Sequence, residues 1–438
     1  MNDSSAAKRR KLGEESVLRE LLTSSTSEKK LSYGTAGFRD NHSLLRGAMV
    51  RVGMLASLRS RSCEGKFVGV MVTASHNPES DNGAKVVDDD GGMLSQSWEP
   101  HAERLVNAHE VDEAMLAIGA MEESAKSEGS RVIIGRDTRP HSPQLAEMGR
   151  KGAEQIGATV FDIGQVTTPQ LHFVVMQLNA EKSLVSPEQA LRTYTDTLAG
   201  GFLSLLRTAA SPGRFEVVLD GSNGIGTVQA WKLIERINSA QPNTISVDLR
   251  NRPSDGPVNE NCGAEMVQKS QAPPANFDAV RDSGKMAASF DGDADRIVFH
   301  GFISPENWRL IDGDKIAALI AVFLLEEFSI CSWATDFSFG VVQTAYANGA
   351  STAFLRSQGV KIVFAKTGVK YLHEKAHQFD CGVYFEANGH GTVLFSPALK
   401  ERINIEYSAT DGVSSRAATA VRRLHVIHTR RSVLIKSI

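Results

Sequence analysis

The sequence has few cysteines, no long apolar segment and no excess of charge of either sign. Its four cysteines lie far apart and form no C-x-x-C pair, which disfavours a disulfide framework and a zinc cluster. The longest apolar run, Ile316 to Leu325, has ten residues, whereas a membrane-spanning helix needs about twenty. The 48 basic and 51 acidic residues give a net charge of −3, which lacks the electrostatic footprint of a nucleic-acid binder. The sequence therefore predicts no membrane segment and no nucleic-acid partner.

The first residues also lack the pattern of a secretory signal. A basic run, Lys8 to Lys11, is followed by Glu14 and Glu15 rather than by an apolar stretch. Such a run is typical of a solvated, disordered leader, with a nuclear-localisation patch as the alternative. We therefore predict a cytoplasmic protein, and the sequence indicates no protein partner.

What the sequence does contain is a recurring unit of a short apolar strand, a polar loop rich in Gly, Asp and Asn, and a helical period. Helices such as Gly226–Ile237 and Gly313–Phe328 alternate with the strands. This alternation predicts a multidomain α/β protein built of successive mixed and parallel layers, and 438 residues correspond to about three domains. In such sheets ligands bind at the carboxyl ends of the strands, where the polar loops fall. The predicted strands are Phe67–Val72, Arg131–Ile134, Phe215–Leu219, Ala287–Phe290, Ile362–Ala365 and Gly382–Phe385.

Three aspartates at alternate positions, Asp291, Asp293 and Asp295, follow one of these strands in FDGDADR, and residues 291–296 are called the acidic loop here. Carboxylates with this spacing converge when the chain coils around a hard divalent cation, which prefers oxygen ligands. A calcium-binding EF-hand is excluded because Arg296 and Phe302 stand where it needs Gly and Glu. Two alternatives remain open. One is a solvated acidic turn, and the other is a haloacid-dehalogenase-type phosphatase with Asp291 as nucleophile, although such enzymes normally carry Thr or Val at the position of Asp295.

Ser75 lies at the mouth of another predicted strand, in TASHNP, and residues 73–78 are called the serine loop. A serine hydroxyl is a poor nucleophile unless it is activated, and no G-x-S-x-G elbow surrounds it. A serine that carries a transferable phosphoryl group needs a metal ion and a proton carrier instead. The acidic loop could supply the metal, and Lys85 or His76 the proton carrier. The alternative is an ordinary strand-end serine in the turn that Asn77 and Pro78 favour.

Two further loops carry groups that suit a phosphorylated ligand. SYGTAGFRD, residues 32–40, is flanked by glycines and contains Arg39, whose guanidinium can bind phosphate through two hydrogen bonds. EANGHG, residues 386–391, offers Glu386, Asn388 and His390, a set suited to sugar hydroxyls and amides. Each loop can also be read as a plain turn.

The motifs GTAGFR, TASHNP, GRDTR, DGDADR and KTG, taken together and in this order, closely resemble those of the α-D-phosphohexomutases. VVQTAYANG, KTGVKYLHEKA and EANGHG are similar to the branch that acts on N-acetylglucosamine. The resemblance runs from about Ser32 to about Glu406. It implies a phosphohexomutase fold and an isomerase of UDP-N-acetylglucosamine biosynthesis. That enzyme interconverts N-acetylglucosamine 6-phosphate and 1-phosphate through a phosphoserine and a 1,6-bisphosphate.

The resemblance also implies roles for individual residues. It makes Ser75 the phosphoserine, whose phosphoryl group binds Mg²⁺ together with the three aspartates of the acidic loop. Lys85, in NGAK, matches the general acid/base of the family, with Arg39 near it.

Residues 386–391 match the sugar-recognition loop of the family and are called the sugar loop below. Relatives that act on glucose or mannose read G-E-x-S-G there, so Ala387 and Asn388 leave room for an acetamido group. The substrate-binding residues expected in this loop are Glu386, Ala387, Asn388 and His390.

The expected domain organisation follows the family pattern. Residues 1–31 form the leader, 32–184 domain I with the phosphoserine, 185–302 domain II with the acidic loop, and 303–408 an incomplete domain III with the sugar loop.

The remaining residues, 409–438, contain six basic residues and one acid, and their apolar residues show no sustained period. This favours a segment foreign to the fold over a basic interaction tail. The family's fourth domain carries an R-P-S-G-T type loop for the non-reacting phosphate, and no such loop follows Tyr407. We therefore expect the fourth domain to be absent. The alternative function is then that of an inert remnant, which only binds metal or sugar phosphate.

Overall fold

A computed structural model describes residues 15–27, 29–34, 37–180, 185–209 and 213–434 of the chain. The predicted basic run Lys8 to Lys11 lies outside the described residues, as do Thr35 and Ala36 of GTAGFR. The chain forms two compact units, Met1–Ala190 and Leu191–Ile438. Within the ranges given, the structure contains no helix long and apolar enough to cross a membrane.

The first unit is built on one mixed sheet with helices packed against it. Its strands are β1 (Phe38–Asn41), β2 (Phe67–Val72), β3 (Asp81–Val87), β4 (Ser130–Arg136) and β5 (Ala158–Gln165). Its helices are α1 (residues 15–24), α2 (Arg46–Ser62), α3 (Glu99–Asn107), α4 (Val111–Glu122), α5 (Ser142–Gln155) and α6 (Thr168–Ala180). The strand order is β1-β3-β2-β4-β5, in which β2, β4 and β5 run parallel and β3 is antiparallel to both of its neighbours.

Helices α2 and α5 approach each other backbone to backbone. A Cβ atom on Gly53 would overlap the carbonyl oxygen of Gly149, and one on Gly152 would overlap that of Val50. Only glycine therefore permits this close packing. The helices cover a sheet whose central strand β2 is buried at every residue, as expected for a strand with parallel and antiparallel neighbours in a layered domain. This buried strand gives the serine loop a rigid base.

The second unit contains two sheets. The first sheet is formed by β6 (Phe215–Asp220), β7 (Ile245–Arg250), β8 (Met286–Phe290), β9 (Ile297–Ser304) and β10 (Asn307–Ile311), in the order β10-β9-β8-β6-β7. The second is formed by β11 (Phe339–Thr344), β12 (Lys361–Ala365), β13 (Cys381–Phe385) and β14 (Gly391–Phe395), in the order β12-β11-β13-β14. The helices are α7 (Pro187–Leu206), which begins at the end of the first unit, α8 (Gly226–Ala240), α9 (Ala264–Ser270), α10 (Gly313–Ile330), α11 (Gly349–Ser357), α12 (Val369–Ala376), α13 (Pro397–Ser408) and α14 (Arg416–Leu434).

The predicted α/β class with mixed and parallel layers is confirmed. All six predicted strands form, as β2, β4, β6, β8, β12 and β13, and the two predicted helices form as α8 and α10. Eight strands of the described residues were not predicted from the sequence. Of these, β5, β7 and β11 pair parallel with their neighbours, whereas β1, β3, β9, β10 and β14 pair antiparallel at or near a sheet edge. The antiparallel strands turn each parallel core into a mixed sheet.

The expectation that residues 409–438 are foreign to the fold is wrong for the described part of that segment. Helix α14 places Ala420, Val421 and Leu424 in the same buried cluster as α10 and α13, with Ile427 packed against it. These four residues have helical spacing, which the sequence analysis missed. Arg423 fixes the helix further, because its guanidinium donates a 2.6 Å hydrogen bond to the buried carboxylate of Glu327.

Candidate active site

Ser75 occupies a left-handed backbone conformation, with φ of 54°, directly after the buried strand β2. Non-glycine residues rarely adopt this conformation, and it persists only where the surroundings hold it. Here the Ser75 N–H donates to Thr73 Oγ1 at 2.9 Å, and Arg139 Nη2 donates to the Ser75 carbonyl oxygen at 3.2 Å. Ser75 is only 1% exposed. The sequence has thus placed a serine in a strained, tightly held turn.

Residues of the GRDTR motif, 135–139, form hydrogen bonds with the serine loop. Asp137 Oδ2 accepts hydrogen bonds from Arg139 and, at 2.7 Å, from Thr73 Oγ1. Asp137 Oδ1 accepts from Ser142 Oγ at 2.7 Å, and Arg139 also donates to the carbonyl oxygen of Asn77 at 2.6 Å. Because Asp137 and Arg139 are almost fully buried, these charge-assisted bonds lie in a medium of low polarity, where they are strong. The motif therefore holds the loop of Ser75 in place.

A histidine that the sequence analysis missed holds the residues that directly follow the serine loop. His141 Nε2 donates to the carbonyl oxygen of Glu79 at 2.8 Å, which leaves Nδ1 to accept from Asn82 Nδ2 at 2.7 Å. Burial lowers the pKa of His141, and the ring of His42 stacked on it at 4.1 Å lowers it further. The neutral imidazole is the form that makes both hydrogen bonds.

Lys85 lies on β3, the strand next to β2, and Arg39 lies on β1, the edge strand beyond β3. Lys85 is opposite Met71 in the β2–β3 pair, is 7% exposed, and has its Nζ 3.5 Å from Thr168 Oγ1. Arg39 is opposite Gly83 in the β1–β3 pair, where a Cβ would overlap the carbonyl oxygen of Phe38. The structure therefore brings Arg39, Lys85 and the strand leading to Ser75 together on three adjacent strands of one sheet.

The acidic loop joins β8 to β9 in the second unit, and its three aspartates are buried. Asp291, Asp293 and Asp295 are 0%, 0% and 6% exposed, and one carboxylate oxygen of each lies within 4.8 Å of the others. The loop coils because Ala294 is left-handed, with φ of 54°, and because Asp291 Oδ1 accepts from the backbone N–H of Asp295 at 3.1 Å and of Arg296 at 3.2 Å. This is the convergence that the spacing predicted.

The charge around the acidic loop stays strongly negative. Arg296 has its Nε 3.7 Å from Asp291 Oδ2, but its Nη1 also donates to Glu265 at 2.5 Å. Burial would lower the pKa of the Arg296 guanidinium, yet the neighbouring carboxylates outweigh it and the pKa is raised. Since Glu265 offsets Arg296, three buried carboxylates are left to be neutralised, and buried charge of one sign is costly. An all-oxygen, anionic donor set of this kind fits a hard divalent cation.

The sugar loop connects β13 to β14 in a tight turn. The Glu386 N–H donates to the His390 carbonyl oxygen at 2.8 Å, and the Gly389 N–H donates to the Glu386 carbonyl oxygen at 2.9 Å. Glu386 Oε1 accepts at 3.0 Å from the N–H of Gly368 in the KTG motif, and Asn388 Oδ1 accepts from the His390 N–H at 3.0 Å. The loop is thereby fixed before any ligand binds.

The sugar loop also touches the acidic loop. His390 Nδ1 lies 3.6 Å from Asp295 Oδ1, and the N–H of Ile297 donates to the Gly389 carbonyl oxygen at 3.3 Å. The Ala387 carbonyl oxygen accepts from the N–H of Gly313 at 3.0 Å. A Cβ on Gly389 would overlap the backbone of Ile297, so only glycine permits the approach. Within the second unit, the structure thus joins the two loops that were predicted to bind metal and sugar.

The fold and these loops define the chain as a member of the α-D-phosphohexomutase class. The family profile "Phosphoacetylglucosamine mutase AMG1, domain III" matches residues 312–431, and "Phosphoglucomutase/phosphomannomutase, alpha/beta/alpha domain I" matches 56–113 and 101–185. Phosphoacetylglucosamine mutase from Oryza sativa is 42% identical over 420 residues, which cover 90% of this chain and 73% of that protein. The human enzyme is 41% identical, over 90% of this chain and 72% of its own length. The chain belongs to the phosphoacetylglucosamine mutase family.

Solved structures agree with this assignment. An N-acetylglucosamine-phosphate mutase in a substrate complex has a TM-score of 0.87 and 35% identity, with 97% of this chain and 79% of that chain covered. The Aspergillus fumigatus enzyme in complex with GlcNAc-6P and magnesium has a TM-score of 0.85 and 34% identity, with 96% and 78% covered. The haloacid-dehalogenase alternative is therefore wrong, and the inert-remnant alternative is not favoured. The match through residue 431 also extends the similarity beyond Glu406, where the motif comparison had ended it.

Proposed function

We propose that this chain interconverts N-acetylglucosamine 6-phosphate and N-acetylglucosamine 1-phosphate through a phosphoserine and a 1,6-bisphosphate, as a step of UDP-N-acetylglucosamine biosynthesis. The observation that carries the proposal is the contact between the buried acidic loop and the sugar loop, at 3.6 Å from Asp295 to His390. Related enzymes have been solved with GlcNAc-6P and magnesium and with glucose 1,6-bisphosphate, which supports sugar phosphates as ligands of this chain.

Ser75 carries the transferable phosphoryl group in this proposal. Its left-handed turn, held by Thr73 and Arg139, fixes the direction of the side chain before substrate binds. The phosphoryl group passes from Ser75 Oγ to the free hydroxyl of the sugar phosphate, which breaks the Oγ–P bond and gives the bisphosphate. The bisphosphate reorients, and Ser75 Oγ then takes the other phosphoryl group, which leaves the isomeric monophosphate.

Mg²⁺ is the metal of this proposal, held by Asp291, Asp293 and Asp295 and, as the family resemblance implies, by the phosphoryl group on Ser75. When bound, Mg²⁺ offsets the negative charge on the phosphoryl oxygens. Because the three carboxylates are buried in surroundings of low polarity, their attraction for a bound cation would be stronger than at the surface.

Lys85 moves the proton in both half-reactions. Its side-chain nitrogen is buried beside Thr168. The neutral amine accepts the proton of the attacking sugar hydroxyl, and the ammonium so formed gives the proton to the leaving oxygen. Arg39, on the adjacent edge strand, contributes a fixed positive charge for the phosphoryl oxygens.

Selection of the sugar is assigned to the sugar loop. The carboxylate of Glu386 suits sugar hydroxyls, and the short side chain of Ala387 leaves space for the acetamido group. Asn388 and His390 supply an amide and an imidazole beside it, and the hydrogen bonds within the turn keep these groups pre-organised.

The three sheets support three domains. We assign residues 32–184 to domain I, as predicted from the sequence. Strands β9 and β10 continue the sheet of domain II to Ile311, so we place the end of that domain there instead of at residue 302. Domain III then takes in β11 to β14 and helix α14.

We also retain a cytoplasmic location, since none of the four cysteines, all of them in described ranges, forms a disulfide.

The test is turnover of the purified full chain with N-acetylglucosamine 6-phosphate and Mg²⁺, followed by phosphorus NMR after priming with a hexose 1,6-bisphosphate. We expect the 1-phosphate to accumulate with wild type and with the exposed-serine control Ser97→Ala, and not with Ser75→Ala. Turnover in Ser75→Ala equal to wild type would remove Ser75 from the mechanism. A preference for glucose phosphates over the acetylated sugars would contradict the role given to Ala387 and Asn388.

A further inference from the structure

A histidine pair at the C-terminal end of helix α12 is not used by the proposed mutase chemistry. Residues 373–377 read His-Glu-Lys-Ala-His; His373 lies in the helix, and His377 is its C-cap residue with helical backbone angles, so the two histidines, four residues apart, lie on one face. His377 is exposed and His373 is half-buried, so the pair is open to solvent. The H-E-x-x-H spacing is one that binds Zn²⁺ in other proteins.

The two ring nitrogens that face each other have the separation that a metal ion requires. His373 Nε2 and His377 Nε2 are 3.2 Å apart, with the rings nearly perpendicular at 82°. Two nitrogens bound at about 2.0–2.1 Å to a tetrahedral Zn²⁺ lie about 3.3 Å from each other. The metal-free pair thus already has nearly the nitrogen–nitrogen distance of a zinc-bound pair, and an ion can replace the proton that the two nitrogens share.

The buried Tyr384 fixes the orientation of the first imidazole. Its hydroxyl forms a 2.8 Å hydrogen bond with His373 Nδ1, on the side of the ring opposite to His377. Metal-binding histidines usually have such a partner on the second nitrogen, because it sets the tautomer and the direction of the ring. A phenol can donate or accept, so it keeps this bond whether or not Nε2 holds a metal ion.

We propose that His373 and His377 form a surface binding site for a divalent transition-metal ion of the zinc class, oriented by Tyr384. Imidazole ligands favour Zn²⁺, Cu²⁺ or Ni²⁺, whereas the carboxylates of the acidic loop favour Mg²⁺, so the two sites differ in the metal they select. Among the described residues, no other His, Cys, Asp or Glu completes a three-ligand group with this pair. Water therefore fills the other coordination positions, and the site binds an ion without the third ligand of a zinc peptidase.

The test is calorimetric titration of the untagged full chain with Zn²⁺ in excess Mg²⁺, which keeps the acidic loop occupied. We expect wild type and the exposed-histidine control His109→Gln to bind one equivalent of Zn²⁺ that His373→Gln and His377→Gln do not bind. Tyr384→Phe keeps both ligands and the packing of the ring, and should weaken Zn²⁺ binding by about tenfold through loss of orientation. A merely structural role for Tyr384 would leave the Zn²⁺ affinity unchanged.

Another group of possible metal ligands among the described residues is an alternative Zn²⁺ site, which the titration must distinguish from the histidine pair. Cys63, Asp88 and Asp89 also lie close together, although Asp88 is paired with Arg59 and Asp89 with Lys66. We expect the Cys63→Ser variant still to bind one equivalent of Zn²⁺. Zn²⁺ binding that survives both histidine substitutions and disappears in Cys63→Ser would overturn the proposal. None of these substitutions touches a residue of the proposed mutase site, so failure here leaves the proposed function unaffected.

Discussion

His390 Nδ1 lies 3.6 Å from Asp295 Oδ1, and this contact links the sugar loop to the acidic loop. A backbone hydrogen bond from Ile297 to Gly389 joins the same two loops within a few residues. The His390 side chain is 28% exposed and that of Asp295 only 7%, so the imidazole is the more accessible of the two groups. Metal binding and sugar binding should therefore affect each other through this contact.

The first prediction concerns that coupling. Asp295→Asn and His390→Ala should each raise the Mg²⁺ concentration needed for half-maximal turnover, and the double variant should differ from the sum of the two. Residues in contact typically show interaction free energies of about 0.5–3 kcal/mol in such cycles. The measurement is the Mg²⁺ dependence of turnover for wild type, both single variants and the double variant. Simple additivity would mean that the loops act independently.

Replacing Asp293 by Asn should weaken Mg²⁺ binding, because a neutral amide replaces an anionic ligand in a buried site. The same change should stabilise the metal-free protein slightly, since it relieves repulsion among three carboxylates that lie within 4.8 Å. Mg²⁺ titration and thermal unfolding with and without Mg²⁺ measure the two effects. The exposed Asp336→Asn is the matched control and should change neither. An unaltered magnesium requirement in Asp293→Asn would show that the acidic loop is not the metal site.

The strands and their polar loops could be predicted from the sequence because both signals are local. Phe67–Val72 and Ala287–Phe290 are short, mainly apolar runs that lead directly into the serine loop and the acidic loop, and each run forms a largely buried strand. The convergence of the aspartates followed in the same way from their spacing.

What could not be predicted depends on contacts between distant parts of the chain. Strand β3 joins the sheet by antiparallel pairing with β2, and only this pairing brings Lys85 beside Met71. The support of Ser75 by Asp137 and Arg139 spans more than sixty residues, and no local pattern reveals which carboxylate will face Thr73. The spacing of Ala420, Val421 and Leu424 is a local signal for helix α14, but the pattern is short and lies among basic residues, so it does not form a sustained period.

Lys85→Ala should reduce the turnover number by about 10²–10⁴-fold, the usual contribution of a general acid or base. Lys66→Ala is the control, because Lys66 is a half-exposed lysine directly before β2 whose ion pair with Asp89 contributes little. Mass spectrometry should find the phosphoryl group on Ser75 undiminished in both variants. A loss smaller than tenfold in Lys85→Ala would assign the proton to another group, such as His76.

Thr73→Val tests whether the strained turn of Ser75 depends on its support. Valine has nearly the shape of threonine, but it removes the acceptor of the Ser75 N–H and the donor to Asp137. Buried groups left without partners cost about 1–3 kcal/mol, so the free energy of unfolding should fall by that amount. A loosened loop should lower the turnover number more than it changes KM. The buried Thr244→Val, outside the site, is the control for loss of a threonine hydroxyl bond.

The last prediction concerns stability in mild acid and rests on His300. This residue is 4% exposed, packs between the rings of Phe277 and Trp308, and has its Nε2 2.9 Å from Ser289 Oγ. Burial lowers the pKa of His300 to about 4. The unfolded chain, in which histidine titrates near 6.5, therefore binds the proton first as the pH falls. The free energy of unfolding should be unaffected by this group above about pH 6.5 and should decrease by about 1.4 kcal/mol per pH unit between there and about pH 4.

The measurement for His300 is the slope of stability against pH, from denaturant unfolding of wild type and His300→Gln in that window. Glutamine can keep a hydrogen bond to Ser289 but does not titrate, so the variant should show a flatter slope whatever its stability at neutral pH. His141, whose pKa burial also lowers, adds to the slope of both proteins and cancels in the difference. Equal slopes in wild type and His300→Gln would show that His300 takes up no proton on unfolding.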